Sequence, residues 1–420
     1  MQPVMILLGS NFIGLLVGGC FFLNAAWKFD LSQMGIYSLA ISIQVIVTGF
    51  IGNGLCVATV RLATDYIAED DRPAAGGIVA FSVIIPAGLC LLGAAVCVGL
   101  PHIAAYNQFL NGEVLALVAL WAGGASILAC LKSGLLAQRN YKGAGMLTVL
   151  SAVTGLLSLI TVLLGGPLTV KRLLIAHIIG LGSSAILGMG FLLPLWRTGC
   201  HFSGKLFLEL YRYARWPSLS EGIRILQANI GPFMLAAVSA SDQVGLFSLA
   251  RYPALLFGVV AISFYQYWLP EVAREEGNDN LIRFLRRQMG IAGLVGLGML
   301  LGAVALRPLL PVLGSNFAAA APLFVLCTLD FVIFLLIRPI ESVYHGFHKP
   351  QLELVLRVVR LPLLFGLGLL LASKFGAMGM AWANVISGAA VVGVAVWLLC
   401  RYLGPFPIIW NVLKEKKSVT

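Results

Sequence analysis

The phrase Gln33-Met34-Gly35-Ile36-Tyr37-Ser38-Leu39-Ala40 returns, conservatively altered, as Gln243-Val244-Gly245-Leu246-Phe247-Ser248-Leu249-Ala250. The copies lie 210 residues apart, half of the 420-residue length. Each opens an apolar run long enough to cross a bilayer, and each such run is the second in its half of the chain. Two similar sets of six runs predict an all-α polytopic membrane protein of about 12 transmembrane helices. Repeats of this kind are the architecture of transporters.

Composition agrees with that reading. The chain is 60% hydrophobic and 11% charged, with mean hydropathy +0.95. A soluble protein this apolar lacks the polar groups to cover its surface. Runs of about 20 apolar residues, the length a bilayer requires, recur from end to end. The expected spans are about 3–26, 33–60, 76–100, 113–136, 144–165 and 171–194 in the first half. In the second they are about 217–239, 243–267, 289–309, 321–345, 352–373 and 377–401. The expected organisation is an N-terminal bundle over 1–203, an interfacial linker over 204–216, a C-terminal bundle over 217–403 and a cytoplasmic tail over 404–420. Met1-Gln2-Pro3 has no basic region, and the apolar run behind it reads as a retained span, not a cleaved signal.

Charge gives the orientation. Loops after even-numbered spans and the tail carry Arg61, Arg72, Arg139, Lys142, Arg197, Lys205, Arg212, Arg215, Arg274, Arg283, Arg286, Arg287, Lys349, Arg401, Lys414, Lys416 and Lys417. Loops after odd-numbered spans carry only Lys28, Lys171, Arg172, Arg307 and Lys374. The positive-inside rule then places both termini in the cytoplasm. It also accounts for the net charge of +11 without nucleic acid. Segment 204–214 mixes Leu206, Phe207, Leu210 and Tyr211 with Lys205, Glu209 and Arg212, which suits a helix on the cytoplasmic surface; an ordinary linker fits the same residues.

Several chemistries find no support. There is no Gly-rich phosphate loop with a lysine, no HExxH and no GxSxG. The eight cysteines lack CxxC or metal-ligand spacing and read as small apolar filler. Of the five histidines, His345 and His348 share a helix face, which is weak ground for a metal. No enzyme, cofactor or metal is expected.

Ionisable residues inside spans are costly and usually face protein or a cavity. Span 7 holds Glu221 and Arg224, with Gln227 and Asn229 further in. Span 8 holds Arg251. Span 10 holds Asp330, Arg338 and Glu341, and span 11 begins with Arg357 and Arg360. Asp330 and Glu341 are eleven residues apart, close to three turns, and share a face. Glu221–Arg224 and Arg338–Glu341 have the i,i+3 spacing of neutralising pairs. Arg357, Arg360, Lys132 and Arg61 lie where a basic side chain can snorkel to the cytoplasmic interface. Arg251 has no carboxylate within one turn and lies toward the outer leaflet, where topology does not call for a cation. A set of arginines in spans suits an anionic substrate such as a pyrophosphate, because a guanidinium stays charged and gives bidentate contacts to phosphate oxygens. Pro217, Pro253 and Pro339 supply bending points.

A set of short phrases is spread over the chain: Gly35–Ala40 with Ala58-Thr59-Val60-Arg61, Gly245–Arg251, and Trp268-Leu269-Pro270-Glu271-Val272. It continues through Arg307-Pro308, Leu313-Gly314-Ser315-Asn316-Phe317-Ala318, Ala321-Pro322-Leu323 and Gly376-Ala377-Met378-Gly379-Met380-Ala381-Trp382-Ala383. The order and spacing of these phrases carry a resemblance to the Wzx-type polysaccharide flippases of the multidrug/oligosaccharidyl-lipid/polysaccharide exporter superfamily. The resemblance implies two six-helix bundles forming a V-shaped central cavity in the bacterial inner membrane. It implies flipping of undecaprenyl-pyrophosphate-linked oligosaccharide repeat units for O-antigen, capsule or exopolysaccharide. Basic cavity residues would hold the diphosphate, with Arg251 and Arg224 first and Arg338, Arg61 and Lys28 second. Asp330 or Glu341 would be the carboxylate that couples transport to an ion. Many members carry an acidic residue in span 7, where this chain has Gln227 and Asn229. The expected partners are the lipid-linked oligosaccharide, membrane lipids, a polysaccharide polymerase and a chain-length regulator.

The rivals are a multidrug or cation exporter of the same superfamily, a lipid II flippase, a membrane-embedded polysaccharide polymerase or ligase, and a scaffold. An exporter of cations calls for an acidic or aromatic cavity. A lipid II flippase is expected to have about fourteen spans by the resemblance. A polymerase calls for a large outer loop, and a scaffold leaves the intramembrane arginines without a role.

Overall fold

The computed structural model describes residues 2–99, 111–272, 278–346 and 351–403. The expected tail over 404–420, with Lys414, Lys416 and Lys417, lies outside the described residues, as do Arg274, Lys349 and His348; nothing is described of the His345 side chain. Among the described residues all regular structure is helical. In chain order the helices are α1 (Gln2–Lys28), α2 (Leu31–Thr48), a π-helical turn (Gly49–Asn53), α3 (Gly54–Ala68), α4 (Arg72–Gly99), α5 (Gly112–Ala137), α6 (Tyr141–Leu164) and α7 (Val170–Trp196). There follow α8 (Gly204–Val238), α9 (Ser241–Val272), α10 (Asn278–Leu306), a 3-10 turn (Arg307–Leu313), α11 (Ser315–Gly346) and α12 (Gln351–Leu403).

The chain divides into two compact units, Met1–Ile230 and Gly231–Thr420. The expected linker over 204–216 is not a separate element. It forms the first turns of α8, which runs through Pro217 to Val238 without a break. Among the described residues, ten segments are long and apolar enough to cross a membrane. One of them, Leu352–Arg401, holds both expected spans 11 and 12; expected span 7 lies in α8, which is not among the ten. Expected span 2, about 33–60, lies within a longer segment, Leu31–Ala68, that joins α2, the π-helical turn and α3.

The repeated phrase is also a structural repeat. Met34, Gly35, Tyr37, Ser38, Leu39 and Ala40 are buried with Ile36 half-buried, and the same pattern recurs at Val244, Gly245, Phe247, Ser248, Leu249 and Ala250 with Leu246 half-buried. Asp30 caps the first copy by accepting the Gln33 N–H at 2.7 Å.

Small residues let these helices approach, as expected where lipid offers no hydrophobic drive between them. In α7, Ala176, Gly180, Ser184 and Gly188 recur every fourth residue and all are buried. A Cβ on Gly180 would lie 2.8 Å from the Gly155 Cα of α6. At the same crossing the Thr154 hydroxyl donates to the Gly180 carbonyl at 2.8 Å. The core of the first unit centres on Leu62, Ile78, Val79, Leu131, Leu135, Leu147 and Leu192. That of the second centres on Trp268, Leu335, Val343, Tyr344 and Leu356, with the Tyr344 hydroxyl donating to the Ala395 carbonyl at 2.7 Å.

α12 is broken at Gly376, whose φ of 55° and ψ of −134° suit glycine alone. The break leaves the Ala377 N–H without a helical acceptor. The Gln243 side chain, from the first residue of the second repeat copy, accepts it at 3.0 Å. A Cβ on Gly376 would collide with that same side chain. Gly376→Ala is therefore expected to destabilise the detergent-purified protein by about 1–3 kcal/mol, the usual cost of a forbidden backbone conformation. Gln243→Ala is expected to cost about 1 kcal/mol for the lost acceptor. Thermal unfolding followed by tryptophan fluorescence checks both.

Candidate functional site

The ionisable residues singled out by sequence fall in both units, and the second unit holds the buried ones. Asp330 sits near the middle of α11, 7% exposed. The Arg360 guanidinium of α12 donates to its Oδ1 at 2.8 Å. The Arg251 guanidinium of α9 lies 3.9 Å from its Oδ2. Arg251, read from sequence as a cation with no local carboxylate, is therefore matched across helices. Two guanidiniums share one carboxylate, and these three residues together carry a formal charge of +1.

Its surroundings explain how it is held. The Arg251 guanidinium carbon lies 5.9 Å from the Phe247 ring and 5.8 Å from the Phe331 ring. Phe247 belongs to the repeated phrase one turn earlier on α9, and Phe331 follows Asp330 on α11. Aromatic faces stabilise a desolvated guanidinium without neutralising it. Gly388 of α12 leaves room beside the cluster: a Cβ there would lie 3.6 Å from both the Arg360 Nη2 and the Asp330 Oδ1. The Arg360 Nε is buried and has no hydrogen-bond partner among the described residues. A buried donor of this kind costs free energy unless a ligand or water meets it.

Arg338 and Glu341 form their own pair on α11. The Arg338 Nη1 donates to Glu341 Oε2 at 2.6 Å, both side chains are buried, and the Phe334 ring lies 3.8 Å from the guanidinium carbon. The Glu353–Arg357 ion pair of α12 lies within electrostatic reach of Glu341. These four charges sum to zero. The structure thus separates a balanced cluster around Glu341 from an unbalanced one around Asp330, although the two carboxylates stand on one helix.

In the first unit, Arg224 is paired with Glu221, its Nε donating to Oε2 at 2.8 Å, and both are about one-third exposed. Arg61 is exposed, 3.7 Å from Asp65, and its guanidinium carbon lies 6.0 Å from the Tyr213 ring. Arg61 and Asp65 line an open groove of about 560 Å³ with Tyr213, Thr64 and Ser133. Lys28 ends α1 and is exposed. The structure does not bring Lys28, Arg61 and Arg224 into one ion-pair cluster as it does Arg251, Arg360 and Asp330.

Sequence reasoning assigned Arg360 to the interface and did not single out Glu353. The i,i+4 spacing of Glu353 and Arg357 was the available signal: with Arg357 engaged, Arg360 on the next turn is left for another partner. The histidines hid a second arrangement. His177 of α7 is stacked between Phe21 and Trp121, with ring centroids 4.0 and 4.2 Å away, and its Nε2 is 2.9 Å from the Tyr37 hydroxyl. Tyr37 and His177 are 140 residues apart, so spacing carries no trace of it. No group of three or more metal-ligating side chains occurs among the described residues.

The two pair types differ in expected cost. Glu341→Gln, which strands the buried Arg338 charge, is expected to destabilise the protein by about 3–5 kcal/mol. Glu221→Gln, at a partly exposed pair, is expected to cost about 1 kcal/mol or less. Denaturation of the purified variants in matched detergent measures the difference.

A family profile described as polysaccharide biosynthesis protein matches residues 29–322. No curated protein sequence matches the chain. Among solved structures, the lipid II flippase MurJ in an inward closed conformation superposes with a TM-score of 0.73 at 14% identity, over 95% of this chain and 87% of that one. An inward-facing multidrug resistance MATE family transporter of the MOP superfamily gives 0.69 at 14%, over 91% and 94%. The Vibrio cholerae MATE transporter VcmN gives 0.62 at 17%, over 96% and 97%. At these identities the likeness is one of fold. The profile spans most of the chain, and the chain belongs to the polysaccharide biosynthesis protein family, built on the multi-pass fold shared by MurJ and the MATE transporters.

Proposed function

We propose that the protein flips undecaprenyl-pyrophosphate-linked oligosaccharide repeat units across the bacterial inner membrane, by alternating access, for surface polysaccharide biosynthesis. Its termini are cytoplasmic in this reading, as the distribution of basic residues requires. Family membership supports polysaccharide synthesis as the process, and the transporter fold supports movement of a lipid-linked intermediate. The observation that carries the substrate class is the Arg251–Asp330–Arg360 cluster: two guanidiniums and one carboxylate, with buried donor capacity left over at Arg360. A diphosphate satisfies that excess, and guanidinium forks match its oxygens. An organic cation is repelled by the same site, which disfavours drug export.

In this reading Arg251 and Arg360 hold the diphosphate, and Asp330 keeps them in place while no substrate is bound. Arg224, Arg338, Arg61 and Lys28 are secondary contacts for the anionic group along its path. Asp330 is also the proposed coupling carboxylate. Ion binding or protonation there weakens its hold on the arginines and releases them to the substrate, a competition that links ion and substrate. Glu341 is the second candidate. The polymerase and chain-length regulator receive the flipped unit.

Loss of the gene is expected to leave the oligosaccharide diphosphate lipid on the cytoplasmic leaflet. Wild type is expected to restore it to the outer leaflet. Arg251→Ala leaves Asp330 still paired with Arg360, so it is expected to insert normally yet to flip at least about tenfold more slowly, the effect of about 1.4 kcal/mol lost at the transition state. Normal flipping by a stably inserted Arg251→Ala variant overturns the diphosphate role. In proteoliposomes with an imposed proton or sodium gradient, Asp330→Asn is expected to make flipping insensitive to the gradient. Retained gradient dependence moves the coupling role away from Asp330.

A further inference from the structure

The first turns of α8 present a surface that the proposed transport does not use. Leu206, Leu210 and Ala214 recur every fourth residue and are buried in the core of the first unit. The Tyr66 hydroxyl of α3 donates to Glu209 at 2.8 Å and fastens the same helix from the side. The face turned away from that core is basic. Lys205 and Arg212 are seven residues apart, so they stand nearly above one another two turns on. Arg215 follows three residues later, and all three are exposed.

Aromatic side chains flank this stripe on both sides. Phe207 and Tyr211, one turn apart, are 42% and 57% exposed. On the other flank Trp216 is 65% exposed, with the Arg215 guanidinium carbon 5.4 Å from its ring. Between the lysine and Arg212, a groove of about 480 Å³ is lined by Leu62, Leu208 and Tyr213 as well as by these bases. Its one carboxylate, Glu209, is already engaged by Tyr66.

Water is a poor solvent for such a face, and hydrocarbon is a poor solvent for its charges. Aromatic rings with an apolar body and a polar edge settle at the headgroup level, and basic side chains there attract anionic lipid. We propose that the outer face of Gly204–Trp216 is a binding site for an anionic phospholipid of the cytoplasmic leaflet. Lys205, Arg212 and Arg215 take its phosphate, and Phe207, Leu208 and Tyr211 lie along its acyl chains. Charge complementarity commits the site to this occupant: three cations with no ion pair among the described residues face outward, and apolar surface adjoins them where fatty acyl chains need it.

The test uses the full-length chain, delipidated in detergent and titrated with phosphatidylglycerol or phosphatidylcholine under native mass spectrometry. The wild type is expected to retain phosphatidylglycerol preferentially. Combined Lys205→Gln, Arg212→Gln and Arg215→Gln substitution is expected to cut that affinity at least about tenfold, since each base near an anionic headgroup contributes about fivefold, and to leave phosphatidylcholine binding unchanged. Arg139→Gln with Lys142→Gln, exposed bases elsewhere in this unit, is expected to bind as wild type does. Equal phosphatidylglycerol binding by the triple variant overturns the proposal, as does an equal loss of both lipids. Displacement of the lipid by millimolar inorganic phosphate overturns it in favour of a free-anion site. A second measurement needs no variant: hydrogen exchange over 204–216 is expected to be slower in nanodiscs containing phosphatidylglycerol than in phosphatidylcholine alone, and identical exchange overturns the site. Neither experiment reads transport, so failure here leaves the flippase reading intact, and failure of flipping leaves this site intact.

Discussion

A bilayer offers no hydrogen-bond partner to a peptide group, and most of this structure follows from that. Every backbone donor and acceptor in the apolar runs has to be met inside the chain, so the runs become helices. Side-chain hydroxyls obey the same rule. Ser38 donates to the Met34 carbonyl, Thr59 to Leu55 and Thr328 to Phe324, each one turn back on its own helix. Where a helix is interrupted, a side chain replaces the missing partner, as Gln243 does for the Ala377 N–H.

Once the backbone is satisfied, small residues decide how closely helices pack. The Gly180–Gly155 crossing brings two backbones together and lets Thr154 reach across to a carbonyl. The π-helical turn at Gly49–Asn53 works in the same way. A Cβ on Gly52 would lie 3.0 Å from the Ser126 Oγ of α5, and Gly49 and Gly54 are pressed against Ile225 and Ser218 of α8. Extra residues in a turn re-aim the helix, and glycine makes room for the neighbour.

Charge is treated by the same economy. The chain buries Arg338 with Glu341 and keeps Glu353 with Arg357, leaving no net charge there. Around Asp330 two guanidiniums share one carboxylate, with Phe247 and Phe331 beside Arg251 and Gly388 beside Arg360. A protein that needed only stability gains nothing from a second arginine on one carboxylate, because the desolvation of the extra charge is not repaid. In the proposed function, the second arginine is affinity held in reserve for an anion.

The helical class, the membrane location and the duplication were legible in the residues themselves, because apolar run length and a repeated phrase are local properties. The two copies are buried in the same pattern, since the same residue types at the same positions meet the same packing problem in both halves. Local spacing also gave Glu221–Arg224 and Arg338–Glu341, which are neighbours on one helix face. The meeting of Arg251, Asp330 and Arg360 was not legible, nor was the seat of His177 between Phe21 and Trp121. Those contacts join helices far apart in the chain, and an i,i+3 or i,i+4 rule is blind to them. Likewise, composition marked 204–216 as interfacial, but only the packing of Leu206, Leu210 and Ala214 against the first unit made it the opening of a longer helix. Sequence by itself determined that apolar runs long enough to cross a membrane recur along the chain and that some of them carry charges. Tertiary structure alone decided which of those charges cancel, because cancellation depends on distance in space and not on separation along the chain.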